Sequence, residues 1–136
     1  MLTKWKIQLL TFLLVSLFTT FSNNLPAQAQ TVNYNFIWPE GTTTLNQKIH
    51  AACAKFGCDG DRAVKVMNCE SEGQNIQSAN GLYFGNFQFS RRTWADFSSR
   101  AGAPGADIWS VDAQPYVYGW AAGQGLFSHW PRCQYA

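Results

Sequence analysis

Four cysteines, Cys53, Cys58, Cys69 and Cys133, follow an export-type leader in a chain of 136 residues. No other feature restricts the fold as strongly. A short exported chain matures in an oxidising compartment, where an even cysteine count reads as a disulfide framework of two bridges. Three pairings are possible. Cys53 and Cys58 are five residues apart and could close a small loop at a helix end, which would leave Cys69 with Cys133. That second bridge would staple the middle of the domain to its last residues. In a chain-entropy model, a loop of that length contributes about 4 kcal/mol. The competing reading is a zinc site from His50, Cys53 and Cys58. It lacks a fourth ligand, so no metal and no cofactor is expected.

The leader occupies residues 1–29. Lys4 and Lys6 open it, Ile7 to Phe21 is mostly apolar, and Ala27-Gln28-Ala29 offers small residues for cleavage before Gln30. The apolar run is interrupted by Thr11 and Ser16 and falls short of the roughly 20 residues a membrane span needs. The expected product is a secreted or periplasmic chain of residues 30–136, with no membrane segment after cleavage and a monomeric state.

Loss of the leader also removes two of the ten basic residues and leaves eight against eight acidic ones. A neutral chain lacks the basic stripe that marks nucleic-acid binding. Charged residues make up 13% of the sequence, about half the usual share, while six Trp, five Tyr and ten Phe are present. A low-charge, aromatic-rich surface suits sugars and other neutral polar ligands.

Residues 30–43 show no helical period and read as an extended arm, with Phe36 and Trp38 able to pin it to the domain. The domain itself spans 44–136. Thr44 opens a first helix whose apolar face is Leu45, Ile49, Ala52, Cys53 and Phe56, and Gly57 ends it. Asp61 is the expected cap of a second helix, which ends near Glu72-Gly73. Glycines and asparagines break residues 73–89, where Tyr83, Phe84, Phe87 and Phe89 predict short strands or a hairpin, with about half of these rings in the core. Ser90 caps a third helix carrying Trp94 and Phe97. Ser110 caps a fourth, running to about Gly123, with Pro115 tolerated near its first turn. The expected class is α+β and mostly helical, with a short irregular β/loop lobe between helices two and three and disulfides holding the whole together.

Glu70 lies at the end of the apolar second helix, beside a cysteine and before a glycine-rich aromatic stretch. A carboxyl held against apolar groups has its pKa raised and can serve as a general acid near neutral pH. Other candidates are weaker. Asp59, Asp61 and Glu70 sit at calcium-loop positions, but Ala63 and Val64 occupy the places of a ligand and an obligatory glycine. His50 and His129 read as partly buried structural histidines.

The ordered set Cys69-Glu70-Ser71-Glu72-Gly73, Gly85-Asn86-Phe87-Gln88-Phe89-Ser90, Thr93-Trp94, Gln124-Gly125 and Trp130-Pro131-Arg132-Cys133 resembles the catalytic core of the resuscitation-promoting factors. These are secreted bacterial muralytic proteins of small lysozyme-like fold, related to lytic transglycosylases. The resemblance covers about Ala63 to Cys133. It implies a catalytic role for Glu70, saccharide-groove positions for Gln88, Thr93 and Gln124, a core or groove-wall place for Trp94, and a Cys69–Cys133 disulfide. It also implies peptidoglycan glycan strands as substrate and makes a peptidase partner plausible. The sequence departs from the family where its usual glycine after Cys-Glu-Ser is Glu72, where its usual Gly-Leu is Asn86-Phe87, and by one extra residue between Gln124 and Trp130.

Glycosidases ordinarily use two carboxyls. Asp96, on the outer face of the third helix, and Glu72 are the nearest partners for Glu70, and both read as solvated charges. A single glutamate fits a lytic transglycosylase, in which the muramic C6 hydroxyl is the nucleophile. A muramidase using water, or a wall-binding module without turnover, are the alternatives.

Overall fold

The computed structural model describes residues 32–136. The leader reading over residues 1–29 lies outside the described residues, as do Gln30 and Thr31 of the arm. The chain is a mixed α+β domain, mostly helical, closed by two disulfides. Among the described residues, no helix is long and apolar enough to cross a membrane.

Helix α1 spans Leu45–Phe56. Thr44 starts it with a full capping box: its side chain accepts from the Gln47 backbone N–H, and the Gln47 side chain accepts from the Thr44 backbone N–H. Gly57, at φ 80°, ends it in the left-handed conformation that glycine adopts without steric cost. Ile49, Ala52 and Cys53 form the buried face, with Leu45 and Phe56 at its margins.

Helix α2, Gly60–Ser71, begins one residue before the expected cap. Asp59, not Asp61, is the N-cap, and its Oδ1 accepts the Arg62 N–H at 3.1 Å. The Cys53–Cys58 bridge, with its Cα atoms 4.4 Å apart, turns the chain directly into α2. Asp61 is left in the first turn, where a negative charge favours the helix dipole.

A two-stranded antiparallel hairpin follows, β1 (Tyr83–Phe84) against β2 (Phe89–Ser90), with Phe84 opposite Phe89. Phe84, Phe87 and Phe89 are buried and Tyr83 is exposed, so three of the four rings enter the core. Helix α3, Arg91–Arg100, is capped by Ser90, whose Oγ accepts the Thr93 N–H at 3.1 Å. Helix α4, Ala113–Gly123, starts three residues after Ser110. Ser110 still does capping work, since its Oγ accepts the Ala113 N–H at 3.0 Å.

The packing of α1 against α4 is the main internal interface. A Cβ at Gly119 would stand 2.8 Å from Ala52 Cβ, so only glycine allows this approach. The arm crosses the end of the same pair. Trp38 Nε1 donates to Asp112 Oδ1 at 2.9 Å, and the Phe36 ring lies 4.8 Å from Tyr116. Asp112 also accepts Lys48 Nζ at 2.6 Å.

Candidate functional site

The end of α2, the hairpin lobe and the C-terminal segment enclose a cleft of ≈ 410 Å³. Glu70 supplies one side, Ser78, Asn80, Tyr83 and Gln88 the second, and His129, Trp130, Pro131 and Arg132 the third. Glu70 is the one carboxylate lining it.

Each wall has its own tether. The C-terminal segment is held by the Cys69–Cys133 disulfide, with Cα atoms 5.7 Å apart. Trp130 Nε1 donates to the Phe87 carbonyl at 2.8 Å, and its ring meets Tyr118 edge-on at 4.7 Å. Arg62 donates from Nε to the Gln134 carbonyl at 3.1 Å and stacks over Phe127 at 4.2 Å. The hairpin lobe is braced from below by Gln114, which is fully buried. Gln114 Oε1 accepts the Phe87 N–H at 2.9 Å, and its Nε2 donates to the carbonyls of Phe84 and Ile108. Gly85 leaves room for that amide: a Cβ there would fall 1.4 Å from Gln114 Nε2.

Gln88 sits at φ 52°, a backbone conformation that a non-glycine residue holds only under constraint. Its Nε2 donates to the carbonyls of Gly85 at 2.8 Å and Ile76 at 3.0 Å. With both amide protons engaged, the atom left to a ligand in the cleft is the Oε1 acceptor.

Electrostatics separate Glu70 from an ordinary surface glutamate. Burial raises its carboxyl above the usual carboxylate range, and the Arg132 guanidinium opposes this with the smaller effect. Tyr118 lies behind the cleft-lining Trp130, its ring stacked on Phe87 at 4.0 Å. Burial pushes its phenol up to about 12, against Arg62 and helped by the Glu70 charge. The Tyr118 hydroxyl therefore stays protonated, and it has no hydrogen-bond partner among the described residues.

The expected site residues divide. Glu70 and Gln88 meet in the cleft. Trp94 does not line it: it is 5% exposed and donates Nε1 to the Ala106 carbonyl at 2.7 Å, as a core residue. Thr93 is bound into the α3 cap, its Oγ1 accepting from Ser90 Oγ at 2.9 Å. Gln124 is exposed at the C-terminal end of α4, away from the cleft lining. His129, read from the sequence as partly buried, is exposed and faces the cleft, with its ring 4.7 Å from Phe97. Asp96 pairs with Arg100 at 3.2 Å on the outer face of α3, and Glu72 is exposed beyond α2. Arg132, Ser78, Asn80 and the brace Gln114 were not singled out from the sequence. Only the aromatic and glycine spacing of residues 73–89 hints at the wall to which Ser78 and Asn80 belong. Among the described residues no cluster of three or more His, Cys, Asp or Glu could hold a metal ion.

Compared with known protein families, curated proteins and solved structures, the chain shows no match.

Proposed function

We propose that this chain is an exported peptidoglycan-cleaving enzyme of lysozyme-like fold, acting on the β-1,4 bond between N-acetylmuramic acid and N-acetylglucosamine. One observation carries the reading. A single partly buried carboxyl, with its pKa raised, lies in a cleft whose other groups are amides, hydroxyls, the His129 imidazole, aromatic rings and one arginine. The resemblance of the Cys69-to-Cys133 motif set to the resuscitation-promoting factors supports the same reading.

In this mechanism Glu70 enters protonated. It gives its proton to the glycosidic oxygen as the bond from that oxygen to the muramic C1 breaks. Positive charge develops at C1 and the ring oxygen. The C6 hydroxyl of the same sugar then attacks C1, and its proton passes to the Glu70 carboxylate. A 1,6-anhydro ring forms and Glu70 returns to its starting state. The substrate supplies the nucleophile, so the chemistry needs no second carboxylate, and Asp96 and Glu72 stay outside it. Arg132 lies near enough to hold down the Glu70 pKa and so favours the charged intermediate state. The Gln88 Oε1 acceptor and the Tyr83 ring would position the glycan.

The test is release of soluble muropeptides from purified sacculi, native protein against Glu70→Gln. The variant is expected to release them at least about 100-fold more slowly, the low end of what general acid–base catalysis contributes. Equal release by both proteins would end the reading.

A further inference from the structure

A second hollow, of ≈ 340 Å³, lies at the hairpin and meets the cleft at Tyr83. Gly81, Leu82, Tyr83, Phe84, Ser90 and Arg91 line it, and Tyr83 belongs to both spaces. Its chemistry differs from that of the cleft. The cleft offers amides, the Ser78 and Tyr83 hydroxyls, an imidazole, a carboxyl and a guanidinium. The hollow offers apolar surface, with Leu82 60% and Tyr83 43% exposed, and one cation. The Ser90 hydroxyl is already committed to the α3 cap.

That cation is prearranged. The Arg91 guanidinium carbon lies over the Phe84 ring, 4.4 Å from its centroid. A cation–π contact of this kind holds the guanidinium near the ring and leaves N–H donors available to a carboxylate. Arg91 has no carboxylate partner among the described residues, whereas Arg100 and Lys48 are paired. The surroundings share its sign. Residues 73–95 contain Arg91 and Arg92 and no acidic residue.

Resting on the glycan-cleaving reading above, we infer that this hollow is a subsite for the carboxylate-bearing stem peptide attached to muramic acid, with Arg91 taking a peptide carboxylate and Leu82 and Tyr83 taking its methyl groups. A further sugar ring is the poorer occupant, because its hydroxyls would find few free polar partners there. A stem peptide combines small apolar side chains with carboxylates and hangs beside the glycan backbone, as the hollow lies beside the cleft. The protein is accordingly selective for peptide-bearing strands over stripped ones.

The experiment uses the Glu70→Gln protein, which leaves strands uncut, and measures its affinity for peptide-bearing glycan strands and for the same strands stripped by an amidase. The peptide-bearing strands are expected to bind about tenfold tighter, the worth of one charge-assisted hydrogen-bonded contact. Adding Arg91→Gln should erase that difference while leaving stripped-strand affinity in place, and Arg91→Lys should fall between. Equal affinity for the two substrates, a preference that survives Arg91→Gln, or binding of neither overturns the inference. Cleavage of stripped strands by the native protein reports separately on the glycan-cleaving reading: if it persists while the two affinities are equal, only the subsite fails.

Discussion

Glu70 and Arg132 face each other across one cleft because each is the chain neighbour of a cysteine in the same bridge, Cys69–Cys133. A covalent bond spanning 64 residues thus places the only carboxyl of the cleft beside the guanidinium that moderates it. The fold's staple and the site's electrostatics are one feature.

Arg132→Gln removes the opposing influence and leaves desolvation alone, so the Glu70 pKa is expected to rise further. Carboxyl titration by NMR of labelled protein should show the shift to higher pH, and the alkaline limb of glycan cleavage should move with it. An unchanged Glu70 titration in the variant would mean that Arg132 does not act on this carboxyl.

Glu70 also ties stability to pH. Its folded pKa lies above the unfolded value, so it favours the fold while protonated. That contribution is full below the unfolded pKa and is lost as pH rises through the folded one. Glu70→Gln carries no such titration. Denaturant melts at acid and neutral pH should therefore show a smaller decline for the variant than for the native protein.

The two bridges should differ in weight. By loop-closure entropy, opening Cys69–Cys133 by paired serine substitution costs about 4 kcal/mol, and opening Cys53–Cys58 about 2 kcal/mol. Only the first also frees the wall carrying His129 and Arg132. Equal losses in stability from the two pairs would contradict this ordering.

Gln114 should be among the most sensitive polar positions. Gln114→Leu leaves the Phe87 N–H and the Phe84 and Ile108 carbonyls without their partner, at about 1–3 kcal/mol for a buried unsatisfied group. Gly85→Ala attacks the same brace from the other side, since its Cβ would overlap the amide and its φ is 78°. Thermal melts of both variants should fall well below the native protein.

Glu72 ends α2 at φ 55°, in the left-handed region. This is the position where the resembled family carries glycine. Glu72→Gly relieves a conformation costing a side chain roughly 1 kcal/mol, and its exposed carboxylate has no partner to lose among the described residues. A melting temperature above the native value is expected; a lower one would mean that the glutamate is held by something other than backbone geometry.

Local signals were read well because they act over one turn of chain. Thr44, Gly57 and Ser90 cap or end helices where the apolar period says they should, and Cys53–Cys58 closes within five residues. Asp59 and Asp61 show the limit of such reading. Both are competent caps, and the one that follows the Cys53–Cys58 bridge directly is used. Trp94, Thr93 and Gln124 were placed at the groove by resemblance, yet core packing, a cap and a helix end account for them here. The brace Gln114 and the wall residue Arg132 were not legible. Their roles arise from contacts with segments far away in sequence: nothing beside Gln114 marks a buried glutamine, and Cys133 beside Arg132 marks the bridge but not the cleft.

The most direct test of the account is mass spectrometry of the muropeptides that the mature protein releases from purified sacculi, with Glu70→Gln alongside. The single-glutamate mechanism yields 1,6-anhydromuramyl products that disappear in the variant. Reducing-end products would contradict the intramolecular step and require a water-activating group. Absence of any product from folded, disulfide-intact protein would contradict the enzyme itself.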